Sequence, residues 1–152
     1  MPFPSVFDKN NATALVERIN KISANTKPQW GKMDAAQMLA HLSVPYEIAY
    51  DENPKRPPAI VRFMLKSFVK NTVVSEKPYK KNSRTAPDFI ISDQRVFEEE
   101  KQKLVRFINE TQKKGTSFFD GKQSVSFGKL TTEEWNNLFY KHLDHHLQQF
   151  GA

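Results

Sequence analysis

The feature that most restricts this chain is a helical rhythm that no strand-and-helix alternation accompanies. In four long segments apolar residues recur three or four positions apart, as they do on one face of a helix. The first runs from a cap at Asn10 or Asn11 to about Ala24, on Ala14, Leu15, Val16, Ile19 and Ile22. The second, about Asp34 to Tyr50, presents Ala35, Met38, Leu39, Leu42, Tyr46 and Ala49. Ser92 caps a third, which carries Val96, Phe97, Leu104, Phe107 and Ile108 to about Lys114, where Gly115 stops it. The fourth follows Thr131, which forms a capping box with Glu134, and ends at Gly151. Together these segments predict an all-α four-helix bundle, a single domain over residues 1–152.

The connections are less regular. Pro2 and Pro4 make residues 1–7 an extended lead-in, and Trp30 lies between the first two helices, where a large ring plugs the end of a bundle. Asp51 to Pro58 is a proline-rich break before a short extra helix of about residues 57–70. Residues 71–92 have no clear period, with Val73-Val74 and Phe89-Ile90-Ile91 readable as short extended pieces. This long crossover between the second and third helices is either a plain connection or a lid. Residues 117–128 read as turns.

Composition removes several classes of function. There is no cysteine, hence no disulfide framework, cysteine-ligated zinc or cysteine nucleophile; this fits a reducing compartment, and a cytoplasmic protein is expected. The start of the chain lacks the basic and apolar regions of a signal peptide. The longest apolar stretch, Ala59 to Val69, is interrupted by Arg62 and Lys66 and is far short of the roughly 20 residues of a membrane span, so no membrane partner is expected. A net charge of +6, with Lys77, Lys80, Lys81 and Arg84 in one loop, invites a nucleic-acid partner. Against that, Lys101, Lys103, Lys113 and Lys114 are interleaved with Glu98, Glu99, Glu100 and Glu110, the pattern of a solvated helix face.

The histidines are distributed unevenly. Of four, His142, His145 and His146 lie in the last helix and His41 in the second. At about 100° per residue, His142 and His146 fall within the apolar arc of their helix, and His41 lies on the flank of its own. His145 falls about 60° away and reads as a surface residue. Two imidazoles four positions apart can reach one ion at metal–nitrogen distances of about 2.0–2.1 Å, and His41 is the remaining histidine placed to complete the set. Pro45 removes the hydrogen bond to the His41 carbonyl, so a kink is expected there. The spacing is not that of the H-E-x-x-H metalloproteases, because Leu143 follows His142. Three imidazoles suit zinc, with nickel or iron(II) as alternatives, and such an ion activates a bound water or thiol. Gln37, one turn before His41, and Gln149, about one turn after His146, are candidates to orient the ligands or polarise a small-molecule substrate. Tyr46 is a weaker candidate, since packing in the core accounts for it.

The run Gln29-Trp30-Gly31-Lys32-Met33-Asp34-Ala35-Ala36-Gln37-Met38-Leu39-Ala40-His41 and the run Lys141-His142-Leu143-Asp144-His145-His146-Leu147-Gln148-Gln149-Phe150-Gly151 resemble the two signatures of the DinB-like (DinB/YfiT) metal-dependent superfamily. The resemblance covers nearly the whole chain and is nearest to a bacterial branch of unassigned function. It implies an up-down-down-up four-helix bundle with a divalent metal on His41, His142 and His146. It also implies a metal-activated thiolate, because characterised relatives include thiol S-transferases that use low-molecular-weight thiols. The helix at about 57–70 has no counterpart in that pattern. The competing expectation is a non-catalytic bundle with a structural or vestigial metal, acting through dimerisation or a protein partner.

Overall fold

A computed structural model describes residues 2–152. The chain is mostly helical, and its one sheet among the described residues is a two-stranded hairpin. Six α-helices follow in order: α1 (Lys9–Asn20), α2 (Ala35–Tyr50), α3 (Ala59–Met64), α4 (Lys70–Val74), α5 (Phe97–Phe119) and α6 (Thr132–Gln149). A π-helical turn at Leu65–Val69 joins α3 to α4, and a 3-10 turn occupies Pro87–Phe89. Strands β1 (Gln123–Ser124) and β2 (Gly128–Lys129) pair antiparallel just before α6.

Helices α1, α2, α5 and α6 bury their apolar faces together. The centre of the core is an aromatic stack: the Tyr46 ring lies between Phe107 and Phe139, with centroids 5.5 and 4.5 Å away, and Trp135 covers the far side of Phe139. Leu39, Leu104, Leu143 and Leu147 fill the space around it. Planar rings stacked this closely add specific attraction to the burial of their area. They also fix the rotation of α2 against α6, the two helices that carry the histidines.

Both of those helices start at a full capping box. Asp34 Oδ1 accepts the Gln37 backbone N–H at 2.8 Å while Gln37 Oε1 accepts that of Asp34 at 3.0 Å. Thr131 and Glu134 make the same reciprocal pair at 3.1 Å each. Reciprocal caps satisfy two otherwise orphaned donors and set where the first turn begins. Pro45 lies inside α2, which continues to Tyr50.

Several sequence expectations are corrected. The cap of α1 is Asp8, whose carboxylate accepts from Asn10 and Asn11, and the helix ends at Asn20, where Ser23 and Thr26 take over the chain in a local turn. The extra helix begins at Ala59 and runs through the π turn to Val74, so Val73 and Val74 are helical and not extended. Phe89 closes a 3-10 turn, with extended backbone only from Ile90. Helix α5 starts at Phe97 after Val96, a cap without a side-chain hydrogen bond, and Arg95 just before it pairs with Asp93 and Glu100. Gly115, at φ 74 and ψ −177, kinks α5 as a residue free to take positive φ can, but one further turn follows to Phe119, which is fully buried.

Candidate metal centre

The ring nitrogens of His41, His142 and His146 meet between α2 and α6. His41 Nε2 lies 2.8 Å from His142 Nε2 and 2.9 Å from His146 Nε2, and the potential donor atoms of all three lie within 4.8 Å of one another. His41 and His146 are buried, and His142 is half-buried. The α6 pair converges because positions 142 and 146 are one helical turn apart on the inward face.

The outward nitrogens decide what the inward ones can do. His41 Nδ1 lies 2.7 Å from the carbonyl oxygen of Phe89, and His146 Nδ1 lies 2.7 Å from Oε1 of Gln149. The orientation of that amide is set in turn by its Nε2, which donates to the Trp30 carbonyl at 2.6 Å. Phe89 O and Gln149 Oε1 accept only, so each Nδ1 carries the proton and each Nε2 is left with a bare lone pair. Two lone pairs facing each other at 2.9 Å attract nothing unless a cation sits between them.

A proton is poorly suited to be that cation. Burial lowers the pKa of His41 from its ordinary value, against the pull of the Phe89 carbonyl. Burial, with the neighbouring His41 and His146, puts His142 well below the ordinary range. Burial and the proximity of His41 bring His146 to about 3. Two neutral imidazoles with lone pairs turned inward, and His142 Nε2 beside them, fit a divalent ion, which binds the deprotonated form of its ligands.

The segment before α2 closes the assembly. Gln29 N–H donates to the backbone carbonyl of Gln149 at 2.8 Å, so this stretch is pinned to the end of α6. Gly31 has φ 85, and a Cβ placed there would come within 2.6 Å of Gln149 Nε2. Both conformation and space therefore call for glycine at this position.

His145 stays outside the donor cluster. It is half-buried between two aromatic rings, 5.6 Å from Trp30 and 5.7 Å from Tyr79, and forms a wall where the sequence suggested open surface. Lys81 covers the Trp30 ring at 4.9 Å. A cleft of about 200 Å3 adjoins the centre, and its lining includes the apolar Trp30, Met33, Ile90 and Ile91 together with His146 and Gln149.

Of the two glutamines singled out by spacing, Gln149 is hydrogen-bonded to a histidine. Gln37 is engaged otherwise: its amide caps α2 and donates to the Asp93 carbonyl at 3.1 Å, without a hydrogen bond to an imidazole. Tyr46 lies in the core stack, where burial raises its pKa. Sequence reasoning missed the carbonyls of Phe89 and Trp30, since a backbone acceptor has no residue-type signature. Gly31 beside Trp30 was a readable signal for the close approach of Gln149.

A mostly helical chain whose buried histidines turn three ring nitrogens to one point belongs, as a class, with candidate metal-binding proteins. The chain is a member of the DUF1569 family, a protein family of unknown function, whose model matches residues 6–152. Comparison with curated proteins and with solved structures gives no match.

Proposed function

We propose that this protein is a divalent-metal-dependent enzyme built on a DinB-like four-helix bundle, with His41, His142 and His146 as the ligands and zinc as the ion. The observation that supports this is the pair of acceptors behind the triad: Phe89 O and Gln149 Oε1 hold two imidazoles in the tautomer that turns a lone pair inward. The chemistry such an ion supplies is Lewis acidity, which makes the conjugate base of water or of a small thiol available near neutral pH. The reaction class that follows is attack of thiolate or hydroxide on a small electrophile, in the manner of a thiol S-transferase or a hydrolase.

The residues of the chain carry the rest. His41 and His146 hold the ligand geometry from two different helices. His142, one turn before His146 on α6, brings the third ring nitrogen to the same point. Trp30, Met33, Ile90 and Ile91 give the adjoining cleft an apolar surface on which the carbon skeleton of a substrate rests and from which water is displaced.

The test is metal analysis of protein purified without an affinity metal column, followed by the His142→Ala/His146→Ala double variant. About one equivalent of divalent ion is expected in the parent, lost in the variant with helical content unchanged. Less than about a tenth of an equivalent, unaltered by added zinc, overturns the reading. Unfolding of the variant assigns the ion a structural role instead.

A further inference from the structure

The segment from α3 through the π turn is an arm with its apolar side turned outward. Ile60, Phe63 and Phe68 are 72%, 69% and 76% exposed, and Val61, Met64 and Val69 are exposed beside them. No residue of α3 or of the π turn is buried. Ile60, Met64 and Phe68 form an i, i+4, i+8 row, and Val61, Leu65 and Val69 form the row next to it. In a continuous α-helix such rows drift around the axis; the wider i→i+5 turn at Leu65–Val69 winds less per residue and keeps Phe68 and Val69 in line with the residues before them.

The root of the arm is fastened firmly. Lys141 Nζ donates to the carbonyls of Thr72 and Ser75 at 2.7 and 2.9 Å, Asn137 Nδ2 donates to that of Val74 at 2.9 Å, and Lys70 pairs with Glu134 at 3.2 Å. A helix held at one end with an apolar face in water is an unsatisfied surface of the kind that marks an interaction site.

Charge selects the partner. Between Glu52 and Glu76 there is no carboxylate, while Lys55, Arg56, Arg62, Lys66 and Lys70 are all basic. Among the described residues only Lys70 of these five has an ion-pair partner. A second copy would meet this face with the same cations and no carboxylate, because a two-fold contact opposes a patch to itself. Nucleic acid offers the negative charge, and its bases can stack on phenyl rings, but it has no apolar layer to receive the aliphatic Ile60, Val61, Met64 and Val69 beside them. An anionic bilayer surface offers both, with acyl chains directly beneath its phosphates.

We infer that residues 59–69 form a peripheral membrane anchor, whose outward apolar rows enter the interfacial layer of an anionic lipid bilayer while Lys55, Arg56, Arg62 and Lys66 meet the headgroups. The arm lies in the membrane plane: no helix among the described residues is long and apolar enough to cross a membrane. The sequence expectation of no membrane partner considered spanning segments only. This inference is independent of the metal reading, and metal content is unaffected by the variants below.

The test is co-sedimentation of the full chain with vesicles of phosphatidylcholine and phosphatidylglycerol, and with phosphatidylcholine alone. The wild type sediments with the anionic vesicles, less so in high salt, and stays in the supernatant with phosphatidylcholine. Phe63→Ser with Phe68→Ser, both at exposed positions, lowers partitioning by more than about tenfold at unchanged circular dichroism. Arg62→Glu with Lys66→Glu serves if that variant misfolds; at about fivefold per cation it lowers partitioning by at least about twentyfold. Absence of anionic-vesicle binding, or binding retained by both variants, overturns the anchor. So does a concentration-dependent dimer broken by the phenylalanine variant without vesicle binding, which would give the face to a second copy.

Discussion

A side-chain amide has one acceptor and one donor end, and Gln149 uses both in fixed directions. Its oxygen faces His146 and its nitrogen faces Trp30 O, so it transmits the position of the Trp30 segment to the imidazole. Gln149→Leu keeps the volume and removes both bonds; metal affinity is expected to fall by about 10–100-fold with the fold intact, measured by competition with a chromogenic chelator. Gly31→Ala is expected to act at a distance on the same bond, since its methyl would displace the amide nitrogen. The histidines also predict a pH response of the metal-free protein. Their folded-state pKa values lie below 6.5, so the folded form resists protons that the unfolded form accepts. The stability this gives is complete above about pH 6.5 and is lost as pH falls toward 3, the value for His146. A thermal midpoint of metal-free protein that falls over this window, less steeply in His146→Gln, is the expected outcome. Metal release belongs to the same window, because protons compete for the same nitrogens.

Among elements, the two helices that carry the histidines were the most legible in the sequence, and the reason is local. Each has a reciprocal cap whose partners are three residues apart, and each shows its apolar arc over several turns, so start, face and length are written in consecutive residues. Thr131→Ala removes one half of the α6 cap and is expected to cost about 1 kcal/mol in urea unfolding. The crossover was illegible for the opposite reason. What holds α4 is a set of donors on α6, more than sixty positions away in the chain, which grip carbonyls that carry no sequence signature. Lys141 reads as a polar-face residue by periodicity, yet it is buried, with burial lowering its pKa to about 8 and its Nζ 4.6 Å from the Tyr79 ring. Lys141→Met leaves the Thr72 and Ser75 carbonyls without that donor and is expected to cost about 1–3 kcal/mol. Hydrogen exchange over residues 59–75 would rise in that variant while α2 and α5 stay protected. The π turn was likewise unreadable, since no proline or glycine marks it.

For the molecule as a whole, an ion held by α2 and α6 together is a cross-link between helices already joined by the aromatic stack. Ligand that binds only the folded state stabilises it by about 2.7 kcal/mol at a free concentration one hundred times Kd. Zinc added to chelator-stripped protein is therefore expected to raise the thermal midpoint by about 5–10 °C, since for a chain of this size each kcal/mol is worth about 2–4 °C. His41→Ala should abolish the rise, as it removes the ring nitrogen that α2 contributes to the cluster. The helices should remain folded without the ion, because a continuous apolar core, from Leu15 and Ile19 through Leu39 and Tyr46 to Phe139 and Leu147, holds them together independently of it.

His41 and His142 are 101 positions apart. During translation the early imidazole leaves the ribosome alone, and a lone imidazole retains a divalent ion only weakly. A product that stops short of position 142 therefore stays empty, however well its first helices form. On the proposed reading, the full donor set comes into being only once the chain has passed position 146, so an ion would be held by finished molecules alone.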